Sequence, residues 1–347
     1  MPGRNTPGTW FIFNFNDAFM QLAFNAKYSI LLGISLLGIA AFSCKTTGNT
    51  QPISEVTTRR GSIGQTDDAS QAARQLIAPG ATPQLVSRQF GFTEGPTADK
   101  QGNVFFTDQP NNKIWKYGTD GKLSVFLDKA GRANGLYFDN KGNLLACADE
   151  QNQLWAISPE GKVTVLVTDY LGQHLNGPND VWAAPGGGIY FTDPYYQRDY
   201  WKRQAPEIEG EKVYFLASPQ SKPVVAAADL VKPNGLVGTP DGRYLYIADI
   251  GDNKTYRYTI AADGTLTGRQ LFVAQGSDGM TIDSQGNIYL AGNGITVYDP
   301  AGTQLTHIPI QANWTANLCF GGQDRKTLFI TASEAIYTLQ MNVQGVQ

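Results

Sequence analysis

The chain has 347 residues, of which 41% are hydrophobic and 16% charged, with 38 glycines and 18 prolines. That mixture excludes a disordered chain, a charge-laced helical bundle and a coiled coil, and it suits a turn-dense, strand-rich globule. The formal charge of −3 divides into +2 over residues 1–82 and −5 over residues 83–347, so the larger part repels a phosphate backbone and nucleic acid is not an expected partner.

Residues 29–43 form an uncharged apolar run just after Lys27. The run is shorter than the roughly 20 residues of a spanning helix and fits the apolar core of a signal peptide. It closes on Ala41-Phe42-Ser43-Cys44, which resembles a bacterial lipobox. The resemblance implies cleavage before Cys44, lipidation of that cysteine and anchorage in the cell envelope. Lys45, standing where an aspartate would follow, points to the outer membrane. Asp17 and several aromatics precede Met20, and a start at Met20 gives a compact signal. Residues 1–43 are read as signal peptide. Residues 44–82, rich in Thr, Ser, Gly, Gln and Ala, are read as the lipidated cysteine and a flexible tether.

From residue 83 one pattern recurs: a short strand, a Gly-bearing turn, then a β-branched or aromatic strand ending in Asp or a small residue. The second strands are Val104–Asp108, Leu144–Asp149, Ile189–Asp193, Leu245–Asp249, Ile288–Gly292 and Leu328–Ala332, and their ends are 41, 44, 56, 43 and 40 residues apart. Turns such as Asp139-Asn-Lys-Gly142 and Asp283-Ser-Gln-Gly286 precede them, which is hairpin chemistry. Two more strands follow in most repeats, Lys113–Tyr117 and Leu123–Leu127 in the first. Four strands every ~44 residues is the period of a β-propeller blade. The expected fold is therefore all-β, a six-bladed propeller over residues 83–347. The last repeat has three strands, and Gln84–Gln89 supplies its fourth and closes the ring. No amphipathic helix follows each strand, which disfavours a TIM barrel.

Fourteen or fifteen positions before each second-strand end stands a polar residue: Glu94, Asn134, Asn179, Asn234, Asp278 and Asn317. The strand that opens a blade is its innermost, so these six should ring one mouth of the central channel. Four amides and two carboxylates without His or Cys make a hard-oxygen set for Ca²⁺, Mg²⁺ or Mn²⁺ rather than tetrahedral Zn²⁺. For Asn134 and Asn317 a turn-residue reading of the Asn-Gly kind stands level with a functional one. Glu94 is a poor turn and strand former, and turn chemistry does not account for it.

Glu94-Gly-Pro96, Asn176-Gly-Pro-Asn-Asp-Val181, Asn234-Gly-Leu236, Ser277-Asp-Gly-Met280 with Asp283, and Cys319-Phe-Gly-Gly322 together resemble the senescence marker protein (regucalcin)/gluconolactonase/luciferin-regenerating-enzyme family, bacterial gluconolactonases most nearly. The resemblance implies one divalent cation held by Glu94, Asn179, Asn234 and Asp278, with Ca²⁺ first and Mn²⁺, Mg²⁺ or Zn²⁺ as alternatives. The expected activity is hydrolysis of a sugar lactone or a related cyclic ester, placed outside the cytoplasm by the signal-like run, with Asp278 as general base or orienter of the attacking water. Phosphotriester hydrolysis at the same metal, or sugar or calcium binding without turnover, are the alternatives. One departure stands out: where those enzymes often read Cys-Glu-His-Gly, this chain has Cys147-Ala-Asp-Glu150.

The long segment from Pro194 to Lys212 carries Tyr195, Tyr196, Tyr200 and Trp201 among Arg198, Lys202 and Arg203, a composition that suits an anionic or sugar-like lactone or, equally, a loop packed on its own blade. Arg132, Asn134, His174 and Tyr195 are the candidate substrate contacts. His307 falls in an outer-strand pattern and is read as structural. Cys147 and Cys319 lie in blades that are not neighbours and are expected as buried free thiols. No protein partner follows from the sequence.

Overall fold

The computed structural model describes residues 75–346. The proposed signal peptide, Cys44 and the tether up to residue 74 lie outside the described residues. Six sheets of four antiparallel strands follow one another along the chain. Their inner strands are Thr93–Ala98, Ala133–Phe138, Val181–Ala183, Pro233–Gly238, Met280–Ile282 and Asn317–Gly321. The sixth sheet is completed by Gln84–Ser87, which pairs antiparallel with the last strand, Ala335–Gln340. The ring is thus closed by a strand from before the first blade, as the strand count predicts. Residues 75–82, read from composition as the end of the tether, pack on this closing blade: Leu76 is buried in its core and Ile77 bridges to Met341.

The core lies between sheets, where each blade's apolar face meets the next. Tyr289 and Phe320, from the fifth and sixth blades, meet edge to face with centroids 5.4 Å apart. Such pairs add roughly 0.5–1.5 kcal/mol beyond area burial. Cys147 and Cys319 are fully buried and unbridged. His307 sits on the outer strand Gln304–Ile308, with its ring against the Thr296 hydroxyl at 3.2 Å.

Inner strands of the first, second and fourth blades break register just after their first residues, between Glu94 and Thr97, Ala133 and Leu136, and Pro233 and Leu236. Such bulges re-aim a side chain without ending the strand. They fall on Glu94, Asn134 and Asn234. In the third and fifth blades Asn179 and Asp278 lie just ahead of the strand.

The glycines that follow these positions are explained by close approach and not by a turn. A Cβ on Gly135 would stand 2.6 Å from the Asn179 carbonyl, and one on Gly235 would stand 2.3 Å from that of Asp278. In each case the glycine N–H donates to that carbonyl of the next blade, at 2.7 and 2.6 Å. The Asn-Gly pair at Asn134 therefore marks a point where neighbouring inner strands touch.

Candidate active site

The six mouth residues converge, each carried by the first turn or strand of its blade. Glu94, Asn134, Asn179, Asn234 and Asn317 are buried, and Asp278 is half-buried. The Glu94 carboxylate accepts the Gly95 N–H at 2.9 Å and is hydrogen-bonded by Asn317. Asp278 Oδ2 accepts the indole N–H of Trp314 at 2.6 Å, and Asn234 also hydrogen-bonds this carboxylate. Asn234 Nδ2 donates to the Tyr196 hydroxyl at 3.1 Å. The amides of Asn134 and Asn179 make no side-chain hydrogen bond with the described residues.

A third carboxylate belongs to this cluster. Asp180 follows Asn179 where the first, second, fourth and fifth blades have glycine, and it is buried with its Oδ1 on its own chain's Val181 N–H at 2.9 Å. It is also hydrogen-bonded by the Leu236 N–H and by Asn317. Burial, and then the negative charge of Asp278, push the Glu94 carboxyl well above the ordinary range. Burial raises Asp278 to about 6 and Asp180 to about 7. Among the described residues no ion pair holds any of these three.

Such uncompensated buried charge is costly unless a cation neutralises it. Carboxylates beside open amides, with no soft ligand, therefore fit a hard divalent cation. No group of three or more His, Cys, Asp or Glu side chains is gathered to ligate an ion among the described residues. The candidate set is mixed: two carboxylates, Glu94 and Asp278, and two amides, Asn179 and Asn234.

The segment between Asp193 and Lys212 crosses from the second blade to the fourth as a strap. At one end Asp149 Oδ2 accepts Arg198 Nε at 2.8 Å, the Tyr200 hydroxyl at 2.5 Å and Gln109 Nε2 at 3.3 Å, while the Trp201 indole N–H donates to the Asp149 carbonyl at 3.0 Å. At the other end the Tyr196 ring has Lys232 Nζ 4.5 Å from its centroid on blade four and its hydroxyl on Asn234.

Of the candidate substrate contacts, Asn134 lies at the mouth, and Arg132, Tyr195 and His174 are engaged with this strap. Arg132 lies 4.6 Å over the Tyr200 ring, donates from Nη1 to the Pro110 carbonyl at 2.9 Å and stands 3.6 Å from Glu150. The Tyr195 hydroxyl is on Gln197, and its ring packs on Trp201 at 5.8 Å. His174 is 64% exposed and bonds Glu207 through Nδ1 at 2.7 Å. The structure does not bring Arg132, His174 or Tyr195 into hydrogen-bond contact with the mouth residues. It supplies instead Asp180, Tyr196 and Trp314. Asp180 was visible as a polar residue where most blades have glycine, and Trp314 as an aromatic three residues before a mouth position.

The profile of the SMP-30/Gluconolactonase/LRE-like region matches residues 92–334. A gluconolactonase of Zymomonas mobilis is 28% identical over 295 residues, covering 76% of this chain and 83% of that protein. The solved structure of a gluconolactonase from Xanthomonas campestris superposes with a TM-score of 0.72 at 28% identity, covering 78% of this chain and 92% of the other. That of a calcium-binding regucalcin from Agrobacterium tumefaciens gives 0.65 at 21% identity, covering 76% and 95%, and supports the fold alone. A profile match over residues 92–334, reaching into all six blades, on a ring whose mouth carries carboxylates and amides, makes this chain a member of the SMP-30/gluconolactonase/LRE-like family.

Proposed function

We propose that the protein is a metal-dependent hydrolase that opens a sugar lactone. The observation that carries this reading is the carboxylate pair of buried Glu94 and half-buried Asp278, without an ion-pair partner among the described residues and with Asn234 hydrogen-bonded to Asp278, in a chain similar to gluconolactonases over most of its length. Glu94, Asn179, Asn234 and Asp278 would hold the cation, Ca²⁺ first among the candidates. A cation there supplies charge stabilisation for the oxyanion formed at the lactone carbonyl.

The chain's own residues supply the rest. Trp314 and Asn234 both hydrogen-bond the Asp278 carboxylate, Trp314 at Oδ2, and so fix its plane for orienting water or taking its proton. Asn234 Nδ2 is shared between the Tyr196 hydroxyl and the Asp278 carboxylate, which leaves the amide oxygen as the acceptor that would hold a cation. Tyr196 brings the strap to the edge of the mouth, where its hydroxyl meets Asn234.

Anchorage in the cell envelope, at the outer membrane, belongs to the same proposal. It is supported by the lipobox-like run ending at Cys44. The described chain also starts on the face opposite the mouth: Ile77 pairs with Met341, and Ser87 with Ile336 beside the mouth-side turn.

A pH-stat assay of the full chain on glucono-δ-lactone, corrected for spontaneous opening, tests the reading after chelation and re-addition of Ca²⁺, Mn²⁺, Mg²⁺ or Zn²⁺. Restored turnover that Asp278→Ala abolishes is the expected result. Metal and ligand binding without turnover of lactones or phosphotriesters would replace the hydrolase with a binding propeller; turnover of a phosphotriester alone would move the substrate class.

A further inference from the structure

Four of the six second strands lead into an aspartate, and three of these do one job. Asp108 accepts the backbone N–H groups of Gly91 and Phe92, Asp193 those of Asn176 and Gly177, and Asp249 those of Val231 and Lys232. Each pins the loop that leads into its own blade. Asp149 does not. Its strand stops at Ala148, Asp149 opens a 3₁₀ turn, and the Arg132 N–H of the lead-in loop goes to Asn112 Oδ1 at 2.7 Å. The freed carboxylate, 2% exposed, holds Arg198 of the strap.

Arg198 is consequently fixed by one nitrogen. Nε is bound to Asp149, and neither terminal nitrogen makes a hydrogen bond with the described residues, while the side chain keeps 24% of its surface open. The guanidinium lies 5.6 Å from the Tyr196 ring centroid, and its charge is felt by Asp278 without an ion pair between them. Lys232 stands 4.5 Å from the same ring centroid, with its Nζ donating to the Tyr195 carbonyl at 3.1 Å and lying 3.6 Å from Glu211. Tyr196, whose hydroxyl touches Asn234, therefore carries a cation contact from the strap and another from blade four. A guanidinium anchored through Nε with its two-pronged end free is preorganised for a planar anion, because little freedom remains to be lost on binding.

We infer that Arg198 is a specificity-determining residue that selects lactones bearing a carboxylate away from the ester being opened. The inference rests on the lactonase reading for the chemistry, and on the strap alone for the preference. Asp149 is a positioning residue that acts through Arg198.

The test compares kcat/KM for glucono-δ-lactone with that for the monolactone of the corresponding dicarboxylic sugar acid, using the full chain. Wild type is expected to favour the carboxylated lactone, and Arg198→Gln to lower the ratio of the two values about 10- to 100-fold, mainly through KM. Arg198→Lys, which keeps the charge, should recover part of that ratio. Thermal melting and Ca²⁺ affinity are followed in each variant to separate selectivity from loss of the strap. An unchanged ratio in Arg198→Gln, or no preference in wild type, would overturn the inference. Should neither lactone be turned over, the lactonase reading fails and calorimetry decides the preference separately. A tenfold loss of affinity for the free dicarboxylic sugar acid in Arg198→Gln supports the role of Arg198, and equal affinity refutes it.

Discussion

Gly279→Ala should damage the mouth by steric displacement alone. A Cβ on Gly279 would lie 1.8, 2.0 and 2.3 Å from the Cγ, Oδ1 and Nδ2 atoms of Asn317. The glycine cannot retreat, since its N–H is bound to the Ala316 carbonyl at 2.7 Å and its own carbonyl accepts the Ala291 N–H at 3.1 Å. Asn317 must swing instead, and it is the side chain that hydrogen-bonds both Glu94 and Asp180. Hydrogen bonds to charged groups contribute ~1.5–3 kcal/mol each, and overpacking typically destabilises by ~1–3 kcal/mol. With partial relaxation we expect a loss of about 3 kcal/mol, a fall of roughly 6–12 °C in melting temperature for a domain of this size. In an Asn317→Ala background those three contacts are gone, and the further loss should be within about 1 kcal/mol. Chemical unfolding of the four proteins in this cycle measures both numbers. Equal losses in the two backgrounds would refute the displacement mechanism.

Stability of the metal-free protein should fall as pH rises. The folded carboxyls of Asp278 and Asp180 are raised to about 6 and about 7, above their unfolded values. Their contribution is therefore complete below about pH 4 and lost as pH climbs through 6 to 7, by roughly 3–4 kcal/mol per group at most. Ca²⁺ should then raise the melting temperature more at pH 8 than at pH 5, and a metal-free melting temperature that is flat or rising from pH 5 to 8 would count against the shared buried charge. Trp314→Phe removes the indole donor from Asp278, so its carboxyl should rise further and the acid limb of the pH–rate profile should move up by about one unit. A stationary acid limb would detach Trp314 from the reaction. Tyr196→Phe frees the Asn234 amide to rotate and should weaken Ca²⁺ binding about tenfold by calorimetry; unchanged affinity would show that Asn234 is held in place without it.

Blade number, ring closure and the six mouth positions were legible because each rests on a local signal repeated six times. A strand that must end near the axis, followed by a tight return, leaves the same spacing whichever blade carries it. The strap was legible only as a long interval, the 56-residue gap between Asp149-type ends. Its contacts were not, because Arg132, His174 and Tyr195 were placed by proximity in sequence to mouth positions. The side-chain directions of those three depend on what the strap packs against. Asp149 shows the same limit. In sequence it is one of four equivalent aspartates, and only the non-local approach of Arg198, Tyr200 and Trp201 separates it from Asp108, Asp193 and Asp249. Asp180 lay one residue from a predicted ligand, and what distinguishes it is the absence of the glycine that other blades need for close approach.

Closing the ring with Gln84–Ser87 also sets an order of events during folding. Leu85 pairs with Tyr337 and Arg88 binds Glu334 and the Tyr337 hydroxyl, contacts that span nearly the whole propeller sequence. Blades one to five can each form from neighbours in sequence, but the seam requires the last strand of the chain. Contacts of such separation form late, because the intervening loop entropy must be overcome first. Until Ala335–Gln340 is available, the first blade exposes its flank and the nascent chain remains an open arc. A chain synthesised from its N-terminus thus stays short of its locked state until Ala335–Gln340 has emerged to pair with Gln84–Ser87.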